Sequence, residues 1–163
     1  MRVLVTGGKG FLGAWIMRRL ARRGCALRVF DIAEDRRLIA RIAGADVASR
    51  LDWWTGDIVS SGQVHAAAEG CDAVVHLAGV LTPDCAADPV RGASINLIGT
   101  LNVFEAARAH GIARIVYTSS GGVFGPHDGR TPLPQSHYGT FKLACEGSAR
   151  AYWNDHRLAS VGF

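Results

Sequence analysis

The chain opens Met-Arg-Val-Leu-Val-Thr-Gly-Gly-Lys-Gly-Phe-Leu-Gly, and this stretch limits the possible fold more than any other. Val3-Leu4-Val5 is a short apolar run that ends in Thr6. Gly7, Gly10 and Gly13 follow, with Phe11 and Leu12 opening an amphipathic segment. The pattern predicts a buried strand, a tight turn and a helix start. Such a turn presents free backbone N–H groups and the positive end of a helix to a pyrophosphate. Gly7 permits the turn, Gly10 lets a phosphate approach the backbone, and Gly13 lets the helix pack on the strand.

With 20 glycines in 163 residues, three at fixed offsets carry little weight alone, so context decides. The motif follows a strand, precedes a helix that ends near Gly24, and is succeeded by a second apolar run, Ala26 to Phe30. That run ends in Asp31. An acid at this place accepts hydrogen bonds from an adenosine ribose and disfavours a 2′-phosphate, which predicts NAD rather than NADP. Arg36 and Arg37 lie near enough in sequence to complicate that choice.

Composition narrows the class. An apolar share of 48% and a charged share of 20% suit one globular domain over 1–163. No run of 18 apolar residues is present, and the apolar start is too short for a signal-peptide core. Cys25, Cys71, Cys85 and Cys145 show no paired spacing. This argues against a zinc site or a disulfide framework and predicts a reducing cytoplasm. The net charge of +4 comes almost wholly from spread arginines, since Lys9 and Lys142 are the only lysines. Spread arginines read as solvated helix faces, not as a nucleic-acid stripe.

Along the chain, strands are expected at 2–6, 26–31, 51–55, 73–77, 113–119 and from 159. Helices are expected at 11–23, 34–42, 60–69, 90–110 and 136–156, with a Gly- and Pro-rich loop over 121–135. Trp15, Trp53 and Trp54 read as packing residues. The alternation predicts an α/β, Rossmann-like doubly wound parallel sheet with strand order 3-2-1-4-5-6.

Ligands of such sheets bind at the carboxyl ends of the strands. Those ends carry Thr6–Gly13, Asp31, Asp57, Leu77-Ala78-Gly79 and Ser119-Ser120. The last helix adds Tyr138 and Lys142, which share one face. A phenol is too weak a base at neutral pH, and a neighbouring ammonium favours the phenolate. The pair is thus a candidate general acid/base for hydroxyl–carbonyl interconversion, with Ser120 holding the same oxygen.

These residues resemble an extended short-chain dehydrogenase/reductase of the NAD-dependent epimerase/dehydratase group. The matching stretches are Thr-Gly-Gly-Lys-Gly-Phe-Leu-Gly (6–13), Gly-Asp-Ile (56–58), His-Leu-Ala-Gly (76–79), Asn96, Tyr-Thr-Ser-Ser-Gly-Gly-Val-Phe-Gly (117–125) and Tyr-Gly-Thr-Phe-Lys (138–142). The resemblance implies that Asp57 and Ile58 flank the adenine and that Leu77, Ala78 and Gly79 line the cofactor. It implies that Asn96 steadies the helix supporting Lys142, and that Ser120 rather than Ser119 is the catalytic serine. Tyr138 is then the acid/base, and Lys142 holds the nicotinamide ribose and depresses the tyrosine pKa.

The chain departs from the group in places. Gly121 and Gly122 stand where dehydratases carry an Asp-Glu pair, so sugar dehydration is not expected. Phe124 and Phe141 replace a usual Tyr and Ser. Members of the group are roughly twice as long and add a substrate lobe, so the chain is expected to be a fragment or a truncated product. The expected function is an NAD-dependent oxidoreductase or epimerase acting on a hydroxyl of a sugar or sugar nucleotide. The resemblance also implies a homodimer. A non-catalytic dinucleotide-binding module is the alternative expectation.

Overall fold

The computed structural model describes residues 1–126 and 129–163. Six parallel strands form one sheet in the order β3-β2-β1-β4-β5-β6, the predicted order. The strands are β1 Arg2–Thr6, β2 Ala26–Asp31, β3 Asp52–Thr55, β4 Ala73–His76, β5 Ile115–Tyr117 and β6 Ser160–Gly162. The helices are α1 Phe11–Ala21, α2 Arg37–Ala43, α3 Ala45–Ser49, α4 Ser61–Ala68, α5 Thr82–Ala87, α6 Pro89–Ala93, α7 Gly99–Ala109 and α8 His137–His156.

The two faces of the sheet bury separate cores, because successive side chains on a strand point opposite ways. On β1, Leu4 packs with Phe30, Val74, Phe104 and Ile115 on the side of α4, α7 and α8. Its neighbours Val3 and Val5 join Val29, Met17 and Ile39 on the side of α1 and α2. A parallel sheet covered on both faces explains the near-continuous apolar runs of these strands.

Three stretches differ from expectation. The segment expected as one helix at 34–42 starts later, at Arg37, because the Asp35 carboxylate accepts the Arg37 amide at 3.0 Å. Gly44, at φ 108°, then separates α2 from the unexpected α3. The helix expected at 90–110 is preceded by the short α5 and divided by a π turn over Ser94–Ile98. That turn holds Asn96 fully buried. Within 121–135, Gly121–Val123 forms a 3-10 turn and Phe124 bridges Pro132, while residues 127 and 128 lie outside the described residues.

Several boundaries shift by one or two residues at each end, and the strand expected at 113–119 is only Ile115–Tyr117, so Ser119 and Ser120 lie in the loop after it. Of the tryptophans, Trp53 packs against the α1-side core, whereas Trp15 is 44% exposed beside Phe11 and Arg18. All four cysteines are free. Among the described residues, no helix is long and apolar enough to cross a membrane.

Candidate cofactor cleft and active site

The loop between β1 and α1 is shaped by contacts that exclude side chains. Gly7 adopts φ +68°, and its amide donates to the Phe30 carbonyl at 2.9 Å. A Cβ there would sit 2.6 Å from the Ala78 nitrogen, and one at Gly13 would sit 2.5 Å from the Gly8 oxygen. Gly10 is different. A Cβ on it would meet only the Gly7 oxygen at 3.4 Å, so the protein's own packing does not require glycine there.

Gly10 is also the N-cap of α1, with no side-chain cap and no acid in the first turn. The first amides of a helix have no partner within it, so those of Phe11, Leu12 and Gly13 remain available. The positive end of the helix is likewise uncompensated. An uncapped helix start behind an uncrowded glycine fits a pyrophosphate.

A cavity of about 800 Å³ opens in front of this loop. Of the residues singled out from sequence, Gly7, Gly10, Asp31, Asp57, Ile58, Leu77, Ala78 and Gly79 line it. Asp31, at the end of β2, is 7% exposed. Its carboxylate accepts the Lys9 amide at 3.0 Å and the Ile32 amide at 2.8 Å, and pairs with the Lys9 ammonium at 3.3 Å. Arg36 is tied instead to Glu34 and the Ala48 carbonyl, and Arg37 grips Asp35 through two nitrogens. The Asp57 carboxylate accepts the Val59 amide at 3.0 Å, which shapes the turn after β3. Ile58 is buried against α7, packing close to Gly99.

Across β1 from Asp31, beyond β4 and β5, stand the polar groups suited to chemistry. A Cβ on Gly79 would meet Asn96 Oδ1 at 2.6 Å and Lys142 Nζ at 4.0 Å. Asn96 accepts the Val80 amide at 3.2 Å and donates to the Val80 carbonyl at 3.1 Å, pinning the strand exit to the π turn. Lys142, 3% exposed, donates to the Thr118 carbonyl at 2.9 Å and to its hydroxyl at 3.3 Å. Its ammonium lies 5.7 Å from the Tyr138 ring centroid. Ser136 starts α8 by accepting the Gly139 amide at 3.1 Å, which sets Tyr138 and Lys142 in the first two turns.

The two serines after β5 point to different partners. Ser119 donates to the Glu146 carboxylate, away from the tyrosine. Ser120 accepts the Gly122 amide at 3.0 Å and lies close enough to Tyr138 to act on its phenol.

The electrostatics differ from the sequence expectation. Burial pushes the Tyr138 phenol above its ordinary value, and Ser120 works in the opposite direction. Burial also lowers the Lys142 ammonium. The expected depression of the tyrosine by the lysine is not seen: burial sets the direction, and the group that acts against it is Ser120.

Sequence reasoning missed Lys9, although it lies inside the glycine motif. It also missed Val80, Arg91 and Ser94, which line the same cavity from the strand exit and from the helix segments around the π turn. Thr118, the partner of Lys142, was legible only as a neighbour of the two serines.

The comparisons with known proteins agree with this geometry. The model of the NAD dependent epimerase/dehydratase family matches residues 3–163. UDP-glucose 4-epimerase 3 of Oryza sativa subsp. japonica is 34% identical over 91% of this chain and 43% of its own length. Uronate dehydrogenase of Pseudomonas putida is 33% identical over 98% of this chain and 58% of its own. The crystal structure of Thermus thermophilus UDP-glucose 4-epimerase in complex with NAD superposes with a TM-score of 0.85 at 31% identity, covering 99% of this chain and 54% of that one. The chain thus spans about half the length of the relatives it matches.

Proposed function

The chain belongs to the NAD dependent epimerase/dehydratase family, and on that premise we propose that it is the cofactor-binding part of an NAD-dependent oxidoreductase or epimerase acting on a hydroxyl of a sugar or sugar nucleotide. One observation carries the reading. The uncapped α1 start and Asp31 lie at a cleft whose far wall includes Gly79, and Lys142 Nζ lies 4.0 Å from where a Cβ on Gly79 would be, with Tyr138 beside that lysine. The epimerase and the uronate dehydrogenase among its relatives support the substrate class.

The α1 amides receive the pyrophosphate, Asp31 receives the adenosine ribose, and Asp57 and Ile58 flank the adenine. Leu77, Ala78 and Gly79 form the wall towards the nicotinamide. When bound, NAD supplies the hydride acceptor. Tyr138 takes the proton of the substrate hydroxyl, and Ser120 holds that oxygen and the phenol in line. Lys142, fixed by Thr118, reaches the ribose from behind Gly79. Gly121 and Gly122 bring no acid or base, so elimination of water is not part of the reading. We place the protein in a reducing compartment, as a homodimer, which light scattering would test.

Calorimetry with NAD, using Gly10→Val as control, followed by incubation with uronates and UDP-hexoses, tests the proposal. NADH accumulation marks a dehydrogenase, and sugar interconversion without net NADH marks an epimerase. Both activities should vanish in Tyr138→Phe while NAD binding persists. Binding with no turnover in either protein, given a substrate panel, would favour a non-catalytic module.

A further inference from the structure

Behind the floor of the cleft, a file of buried polar groups crosses the core. Thr6 ends β1, His76 ends β4, and Thr100 lies in the first turn of α7; none is more than 2% exposed. Thr6 Oγ1 is 2.6 Å from His76 Nδ1, and His76 Nε2 is 3.0 Å from Thr100 Oγ1. Thr100 Oγ1 is 2.6 Å from the Asn96 carbonyl oxygen. At the other end, the Ala78 amide, in the cleft wall, is 3.4 Å from Thr6 Oγ1.

The direction of every bond follows from one fixed acceptor. A carbonyl oxygen only accepts, so the Thr100 hydroxyl spends its proton on Asn96. Thr100 Oγ1 then has only lone pairs to offer His76, so the ring carries its proton on Nε2. The Cys145 thiol, a weak donor with one proton for the two oxygens it approaches at 3.3 and 3.5 Å, does not displace the 2.6 Å bond from Thr100 to the Asn96 carbonyl. Nδ1 is left bare and takes the Thr6 hydroxyl proton. Thr6 Oγ1 in turn accepts from the Ala78 amide.

We propose that His76 is a positioning residue for the dinucleotide cleft: as the neutral Nε2–H tautomer it completes a one-way file of hydrogen bonds from the Ala78 amide to the Asn96 carbonyl. The file ties the ends of β1 and β4 to the π turn and, through Cys145, to the helix that carries Lys142. A ring with its proton on Nδ1 breaks the file at both sides. It would leave the Thr6 hydroxyl proton without the Nδ1 acceptor, and it would draw the Thr100 proton away from Asn96. Burial supports a neutral ring, holding the His76 pKa down to about 3, with the Lys142 charge adding to the effect. The inference rests on the reading of the cleft as the NAD site.

The test is nitrogen-15 NMR of the histidine rings in the whole 163-residue chain, with and without NAD. The His76 ring should show the Nε2–H tautomer, and its Nε2 proton should shift when NAD binds. Two nearly isosteric variants separate position from mere packing. Thr6→Val should keep the Nε2–H form, because Thr100 still accepts. Thr100→Val should convert the ring to Nδ1–H, because only Thr6 Oγ1 remains as an acceptor. Each should weaken NAD binding roughly 3- to 10-fold, the worth of one neutral hydrogen bond. An Nδ1–H or charged ring in the wild type, an unchanged tautomer in Thr100→Val, or unaltered NAD affinity in both variants would overturn the proposal. Failure of the wild type to bind NAD would overturn the reading of the cleft instead, and the tautomer would still be decided by the ring shifts.

Discussion

Lys9 holds Asp31 twice, through its backbone amide at 3.0 Å to Oδ2 and through its ammonium at 3.3 Å from Oδ1. The charge proposed to select the cofactor is therefore a pair, not a lone carboxylate. Asp31→Ser removes the acceptor for the ribose and leaves the Lys9 ammonium without its partner at the place where a 2′-phosphate would sit. NAD binding should weaken, NADP binding should strengthen, and their ratio should move by about 10-fold or more, or about 1.4 kcal/mol. Calorimetry with both nucleotides reads the ratio directly. A ratio that stays put would show that the pair does not face the ribose.

The three motif glycines should fail in different ways. Gly10→Val puts its side chain where only the Gly7 oxygen is near, at backbone angles open to any residue. It should cost about 1 kcal/mol of stability, as a poor N-cap, and abolish NAD binding. Gly13→Ala drives a Cβ to 2.5 Å from the Gly8 oxygen. Gly7→Ala adds positive-φ strain to a clash with the Ala78 backbone. Each of these two should cost roughly 2–4 kcal/mol. Urea unfolding of the three variants checks the order, and equal losses in all three would count against Gly10 as a ligand-facing position.

The parts of this fold that are local in sequence were legible in it. Strand order follows from the alternation of apolar runs and helical periods, and Asp31 and Ser120 could be placed because strand ends face one rim. The π turn was not legible. An added residue in a continuous apolar period leaves the composition of 90–110 helical while turning Asn96 into the core. The partners of His76 lie 70 and 24 residues away, so no window around His-Leu-Ala-Gly reveals them. Lys9 was hidden for another reason: glycine spacing is blind to the residues between, and only the fold brings β2 beside that loop. The tyrosine pKa was misjudged because sequence shows the ammonium four residues on but not the burial that raises the phenol.

Because burial raises Tyr138, the phenol is protonated at neutral pH. Oxidation of a hydroxyl needs the phenolate. The rate with a sugar substrate should therefore climb about tenfold per pH unit through neutrality while Tyr138 limits it, and the reverse reduction, which needs the phenol, should stay flat there. Ser120→Ala removes the hydroxyl that lowers the pKa, so the rising limb should move to higher pH. Tyr138→Phe should lose about 10²- to 10⁴-fold in turnover and keep NAD affinity within about twofold. A pH-independent oxidation rate would exclude Tyr138 as the base.

His76 also predicts how stability depends on pH. Its pKa is about 3 in the fold against the ordinary 6.5 of a free imidazole, so between these values the unfolded chain binds the extra proton. Stability from the neutral ring is fully present above pH 6.5 and is lost as pH falls towards 3. At about 1.36 kcal/mol per unit, the loss approaches roughly 4–5 kcal/mol as an upper figure. Carboxylates such as Glu105, held low by its bond to Arg108, titrate below about pH 4.5, so the window from 4.5 to 6.5 reports the histidine. His76→Gln should be less stable at pH 7 but should flatten the slope in that window. Urea unfolding at half-unit steps decides it: equal slopes in the two proteins would mean that water or a local opening lets the ring charge without unfolding the chain.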